Sequence, residues 1–166
     1  MTDAYLGNPN LKKVNTPVEF TKEQILEFDK CSKNPIYFMK NYIQIVSLDE
    51  GLIPFRMYGF QEHIVKTIHE NRFTICKLPR QSGKSTTVVS YLLHYALFNP
   101  NSNIAILANK SSTARDILSR VQLAYENLPK WLQQGVINCN KGNKEIENKA
   151  TIFAPATSSW AIPVGA

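Results

Sequence analysis

The most constraining stretch of this chain is the run RFTICKLPRQSGKSTTVVSYLLHYALF at positions 72–98. Apolar and β-branched Phe73, Thr74, Ile75 and Leu78 predict a short buried strand, Pro79 to Ser82 a tight loop, and Lys84 to Phe98 a helix free of Gly and Pro. Gly83, Lys84 and Ser85 sit where the loop becomes the helix, and they form the second half of the phosphate-loop pattern G-x-x-x-x-G-K-[ST]. Any fold accepted for the chain has to carry that junction.

Consecutive backbone N–H groups at a loop-to-helix start point the same way, and with the helix dipole they favour a polyphosphate. Gly83 lets the backbone approach that anion. Lys84 is expected to reach the β- and γ-phosphates, each charge-assisted hydrogen bond contributing about 1.5–3 kcal/mol. The Ser85 hydroxyl is placed to ligand Mg²⁺. The expected ligand is therefore ATP with Mg²⁺. The pattern lacks its first glycine, since Leu78 occupies that position. Context compensates, because the apolar run Ile104 to Ala108 follows the helix as a second strand. Strand, loop, helix and strand in that order predict a parallel, right-handed βαβ unit. Wide apolar coverage at Val88, Val89, Leu92, Leu93, Ala96 and Leu97 suits a helix packed on a sheet.

The 166 residues suffice for one domain with a proper core, and 43% hydrophobic with 19% charged residues is a globular balance. No apolar run approaches the roughly 18 residues of a membrane span, and MTDAYLGNPN lacks a signal peptide's apolar stretch, so an intracellular protein is expected. Cys31, Cys76 and Cys139 are odd in number and widely spaced, which argues against a disulfide framework and a zinc site and predicts buried or half-buried thiols. His63, His69 and His94 have no metal-ligand spacing. The net charge of +6 permits contact with a polyanion, but the basic residues are scattered and favour a solvated face over a dedicated DNA groove.

Along the chain, positions 1–20 read as an extended arm and positions 21–166 as one α/β domain. Thr21 and Gln24 fit a capping box, and Asn34 with Pro35 fits the start of a second helix carrying Tyr37, Phe38, Met39 and Tyr42. The run from Ile45 to Glu50 imitates an acidic catalytic strand. It precedes the phosphate loop, however, and Gly51 makes it a turn between two extended pieces. Tyr58 to Gln61 leads into a helix with Ile64, Val65 and Ile68 on one side. The Gln61 amide, which both donates and accepts, suits either adenine recognition or a plain surface position. Ser111 or Ser112 is expected to cap a helix with Ile117, Leu118, Val121 and Ala124 inward, and Lys144 to Ala154 to form a hairpin turning at Asn148 and Lys149.

With these pieces in order, the chain resembles the large terminase subunit, the packaging ATPase of tailed bacteriophages, most closely the type of contractile-tailed myoviruses. The carrying residues are Phe60 and Gln61, LPRQSGKSTT at 78–87, ILANKSS at 106–112, LPKWLQQGVIN at 128–138, and NKGNKEIEN followed by ATSS at 156–159. The resemblance implies an ASCE-type P-loop NTPase fold, a parallel sheet flanked by helices and here incomplete at the C-terminus. It implies a motor that hydrolyses ATP to move double-stranded DNA into a prohead, as a ring at the portal protein with a small terminase subunit, in the host cytoplasm. The deviant loop without its first glycine is a family trait. Arg80 matches an arginine assigned to the γ-phosphate, so Arg80 and Lys84 are the expected catalytic residues. Phe60, Gln61, Pro79, Arg80, Gln81, Ser82, Gly83, Lys84, Ser85 and Thr86 are the expected nucleotide site, with Gln61 reading adenine. After Ser159 the family continues into an apolar strand ending in Asp-Glu and later a nuclease domain. This chain instead reads WAIPVGA, so an N-terminal piece is expected, for which nucleotide binding is implied and turnover is not. The alternatives are a helicase-like ATPase and a truncated, non-catalytic binder of nucleotide or DNA.

Overall fold

A computed structural model describes residues 4–47 and 49–155. In chain order the elements are β1 (Ala4–Tyr5), β2 (Asn8–Lys12), α1 (Lys22–Lys33), α2 (Pro35–Tyr42), β3 (Gln44–Ser47) and β4 (Gly51–Pro54). They continue with α3 (Gly59–Glu70), α4 (Lys84–Phe98), β5 (Asn103–Ala105), α5 (Ser111–Glu126), β6 (Val136–Cys139), β7 (Asn143–Ile146) and β8 (Thr151–Phe153).

Local chemistry sets most helix starts. The Thr21 hydroxyl accepts from the Gln24 N–H at 3.2 Å while the Gln24 side chain accepts from the Thr21 N–H at 3.0 Å, so two orphan donors of α1 are satisfied reciprocally. The Asn34 side chain accepts from the Tyr37 N–H at 3.0 Å, and Pro35 takes the first helical position, where a missing N–H costs nothing. For α5 the expected serine cap is not used. Lys110 is the N-cap and makes no side-chain cap bond, which leaves Ser111 and Ser112 inside the first turn.

Helix α4 is the structural axis. It packs against α2, α3 and α5, and its burial of Val89, Ser90, Tyr91, Leu93, His94, Ala96 and Leu97 leaves few polar positions. Phe98 meets Phe28 at 5.1 Å and Phe38 at 5.7 Å between ring centroids, both edge to face, the arrangement aromatic quadrupoles favour. On the other side, Leu93, Ala96, Val121 and Tyr125 face Val136, Ile146 and Ile152 of the main sheet around a void of only about 40 Å³. Leu11 of β2 fills the edge of that contact and is buried. The expected extended arm is thus a β1–β2 hairpin docked into the core.

The main sheet departs from the expected parallel one. Its order is β5-β8-β7-β6; β5 and β8 are parallel, with Ile104 opposite Ile152, while β8, β7 and β6 are antiparallel neighbours. The architecture is mixed α/β. The predicted strand over 73–78 is irregular, without ladder partners among the described residues, so the predicted βαβ unit lacks its first strand. Phe73 is 83% and Ile75 98% exposed. A strand exists only through a neighbour's hydrogen bonds, and among the described residues none reaches this one, although Thr74 lies near Tyr91 and Ile104. Its Cys76 is accordingly exposed, contrary to the expectation, whereas Cys31 is buried and Cys139 half-buried. The predicted strand over 103–108 is shortened to β5, although the Ile106 N–H still donates to the Phe153 carbonyl at 2.8 Å. The predicted hairpin is present, β7–β8 turning through Lys149 at φ 68°, and the two extended pieces expected around Gly51 pair as a second one, β3–β4, with Ile45 opposite Ile53.

Candidate functional site

The phosphate-loop candidate is bent by two left-handed residues, Gln81 at φ 60° and Gly83 at φ 72°, with Ser82 between them. Alternation of that kind turns successive N–H groups toward one concavity, a nest suited to an anion. Gly83 is also the N-cap of α4 and offers no side-chain cap. Its carbonyl accepts from the Thr87 N–H at 3.0 Å and the Thr87 hydroxyl at 3.1 Å, which anchors the loop to a buried threonine. The N–H groups of the first turn have no capping side chain to satisfy them. The Pro79 carbonyl ties the loop from within, accepting from the Ser82 hydroxyl at 3.0 Å and from Lys84 Nζ at 3.2 Å. Lys84 forms no ion pair among the described residues, where the salt bridges are Lys30 with Glu27, Lys33 with Asp29 and Lys40 with Glu62. Its charge therefore faces the loop rather than a distant carboxylate.

A cleft of about 750 Å³ opens beside this loop. Of the ten expected site residues, Phe60, Gln61, Pro79, Gln81, Ser82, Gly83 and Thr86 line it. Arg80, Lys84 and Ser85 do not. Arg80 and Ser85 are exposed, and Lys84 is half-buried on its own loop. The structure thus brings α3 and the loop together but leaves the two expected catalytic cations outside the cleft wall.

The opposite wall was not foreseen. The β3–β4 hairpin and the segment after it contribute Ile45, Glu50, Ile53, Phe55, Arg56 and Tyr58. The stretch containing Glu50, set aside as a catalytic strand, is a turn as expected, here joining β3 to β4, and Glu50 lines the cleft. Tyr58 and Phe60 stack with centroids 5.9 Å apart and planes 9° apart, and they are 69% and 43% exposed. Two exposed aromatics two residues apart were the available signal for this wall.

Gln61 is 3% exposed. Its Oε1 accepts from the Tyr58 N–H at 2.9 Å, and its Nε2 lies 2.6 Å from where a Cβ on Gly83 would stand. One amide is therefore bonded to the start of α3 and lies close against the turn of the loop.

A family model described as terminase large subunit, T4-like-virus type, N-terminal, matches residues 75–161, just over half of the chain. The chain belongs to that terminase family. The match takes in the bent loop, α4, β5, α5 and the β6–β8 sheet, and it runs on through 156–161, so the ATSS motif falls outside the described residues. Phe60 and Gln61 precede the matched region, and their place at the cleft rests on the geometry alone. Family membership makes the protein a component of the phage DNA-packaging apparatus and favours that reading over a helicase-like one. No helix among the described residues is long and apolar enough to cross a membrane.

Proposed function

We propose that this terminase chain binds ATP with Mg²⁺ in the cleft between the phosphate loop and the β3–β4 hairpin, as the nucleotide-binding part of a motor that translocates double-stranded DNA into a prohead. The observation that carries the reading is the nest at Gln81 and Gly83, open at the N-terminus of a 15-residue helix with Lys84 free of any carboxylate partner among the described residues. A triphosphate there receives converging N–H groups and the positive end of the dipole. Lys84 exchanges a neutral carbonyl for phosphate oxygens, a stronger charge-assisted bond. The base end lies toward Tyr58 and Phe60, whose ring faces suit a nucleobase.

Ser85, exposed on the first turn of α4, is the residue that would hold Mg²⁺. The ion would neutralise charge on the phosphate oxygens. Among the described residues no group of three His, Cys, Asp or Glu side chains is placed to hold a metal. The donor set therefore fits an ion that arrives with the nucleotide and keeps its waters, as Mg²⁺ ordinarily does. Exposed Arg80 is free to swing toward a γ-phosphate, where its planar cation suits the charge of phosphoryl transfer. Portal protein, small terminase subunit and further copies in a ring are the partners this reading implies.

Titration with a fluorescent ATP analogue tests the binding. Lys84→Ala should weaken affinity roughly 10- to 100-fold, the loss of a charged hydrogen bond. Unchanged affinity would remove the proposal.

A further inference from the structure

The segment between β4 and α3 carries the alternation of an extended chain. Phe55 is buried, Arg56 exposed, Met57 half-buried and Tyr58 69% exposed. At its two ends the Phe55 N–H donates to the Ile43 carbonyl at 2.9 Å, and Tyr58 has β-region angles of φ −78° and ψ 155°. A period of two puts Arg56 and Tyr58 on one side, and both line the cleft. Same-side neighbours of an extended chain stand about 6.4–6.8 Å apart. One planar ring held between two groups needs roughly 7 Å, two contacts of about 3.5 Å each. The other side of Tyr58 is already taken, because its ring lies nearly parallel to that of Phe60 with centroids 5.9 Å apart, too close to admit a base. Arg56 belongs to none of the ion pairs found among the described residues. Glu50, the acid on the same wall, lies beyond Gly51, roughly 10 Å of strand away from Pro54.

We infer that a nucleobase enters between the Arg56 guanidinium and the Tyr58 ring, which makes Arg56 a base-stacking residue. The inference rests on the nucleotide site proposed above and adds to it the group opposite Tyr58. A guanidinium is planar and weakly hydrated, so it stacks on a π-face and gains from the attraction of a cation to the ring. Stacking holds the ring and leaves its edge to other groups, such as the Gln61 amide that also lines the cleft. The clamp therefore favours purines, which offer the larger face, over pyrimidines.

Inorganic tripolyphosphate, which has no base, separates a base clamp from a phosphate contact. Calorimetric titration of the full chain uses ATP, CTP and tripolyphosphate in about 0.15 M salt, where long-range attraction is screened. Wild type is compared with Arg56→Ala, Arg56→Lys, Tyr58→Ala and Tyr58→Phe, all at exposed positions where the fold tolerates change. Arg56→Ala and Tyr58→Ala should each weaken ATP binding about tenfold and leave tripolyphosphate affinity within about twofold. The preference for ATP over CTP should shrink in both. Arg56→Lys keeps the charge but loses the plane, so it should weaken ATP nearly as much as Arg56→Ala, whereas Tyr58→Phe should match wild type. Equal losses for ATP and tripolyphosphate in Arg56→Ala would make Arg56 a phosphate contact and overturn the inference, as would ATP affinity unchanged by that variant. Wild type that binds neither ATP nor tripolyphosphate would instead overturn the nucleotide site itself.

Discussion

His94 in α4 holds its Nε2 2.8 Å from the carbonyl oxygen of Cys31 in α1, tying the central helix to the N-terminal helical pair. The carbonyl can only accept, so Nε2 carries the proton and Nδ1 is a bare acceptor, buried without a partner. The ring lies among Phe38, Tyr91 and Phe98 and is 2% exposed. Burial pushes its pKa down to about 4, opposed by the Cys31 carbonyl and aided by nearby His69. The ordinary value of 6.5 applies when the chain unfolds, so between pH 6.5 and 4 the unfolded state binds the extra proton. Stability from this group is whole above pH 6.5 and drains away as pH falls toward 4, by up to about 3 kcal/mol. Urea melts at pH 7.5 and 4.5 should show that loss, and His94→Phe should flatten it.

Gln133 is the corresponding anchor for the N-terminal hairpin. Its buried NH₂ group donates to the carbonyls of Asn10, Tyr125 and Leu128 at 3.0–3.1 Å, so one side chain closes the end of α5 and fastens β2 to it. Gln133→Ala removes these bonds, leaving the Leu128 carbonyl without its donor while that of Tyr125 keeps the Leu128 N–H, and should destabilise the fold by about 1–3 kcal/mol. Limited proteolysis should then cut within 1–20 well before wild type is touched. Equal protease resistance would show the hairpin to be held by Leu11 packing and by its bonds from Asn8 to Glu126, from Lys12 to the Gln133 carbonyl and from the Cys139 N–H to Tyr5.

The exposed stretch at 73–78 gives a prediction of the opposite sign. With Ile75 98% exposed and no ladder partner among the described residues, Ile75→Lys should change unfolding free energy by no more than about 0.5 kcal/mol. The same change should raise solubility, because exposed apolar Phe73 and Ile75 on an unpaired segment are an aggregation hazard. A loss above 2 kcal/mol would mean that this side chain is buried in solution.

Arg80 and Lys84 should separate in a nucleotide titration. Neither lines the cleft, but Lys84 is half-buried and donates to the Pro79 carbonyl that Ser82 also uses, whereas Arg80 is exposed. Arg80→Ala is expected to leave ATP affinity within about threefold, against the far larger fall for Lys84→Ala. If the chain turns over ATP, steady phosphate release should vanish in Arg80→Ala while binding persists; an equal loss of affinity in both variants would place Arg80 in ground-state binding.

What the sequence determined by itself is whatever is decided within one turn or one hairpin. Thr21 with Gln24, Asn34 with Pro35, the start of α4 at Lys84 and the turn at Lys149 were all legible, because capping and left-handed turns are satisfied by neighbours in the chain. The bend at Gly83 belongs here too. Tertiary structure decided what depends on distant partners. The apolar 73–78 run reads as a strand by composition but is not one, since pairing is a property of two segments. The arm became a docked hairpin because Leu11 and the Asn10 carbonyl meet groups more than a hundred residues away. Only the packing of α3 beside the loop seats the Gln61 amide on Gly83, and with it the β3–β4 hairpin across the cleft. No periodicity records a contact between two turns separated in sequence, which is why the loop was visible in advance and the wall facing it was not.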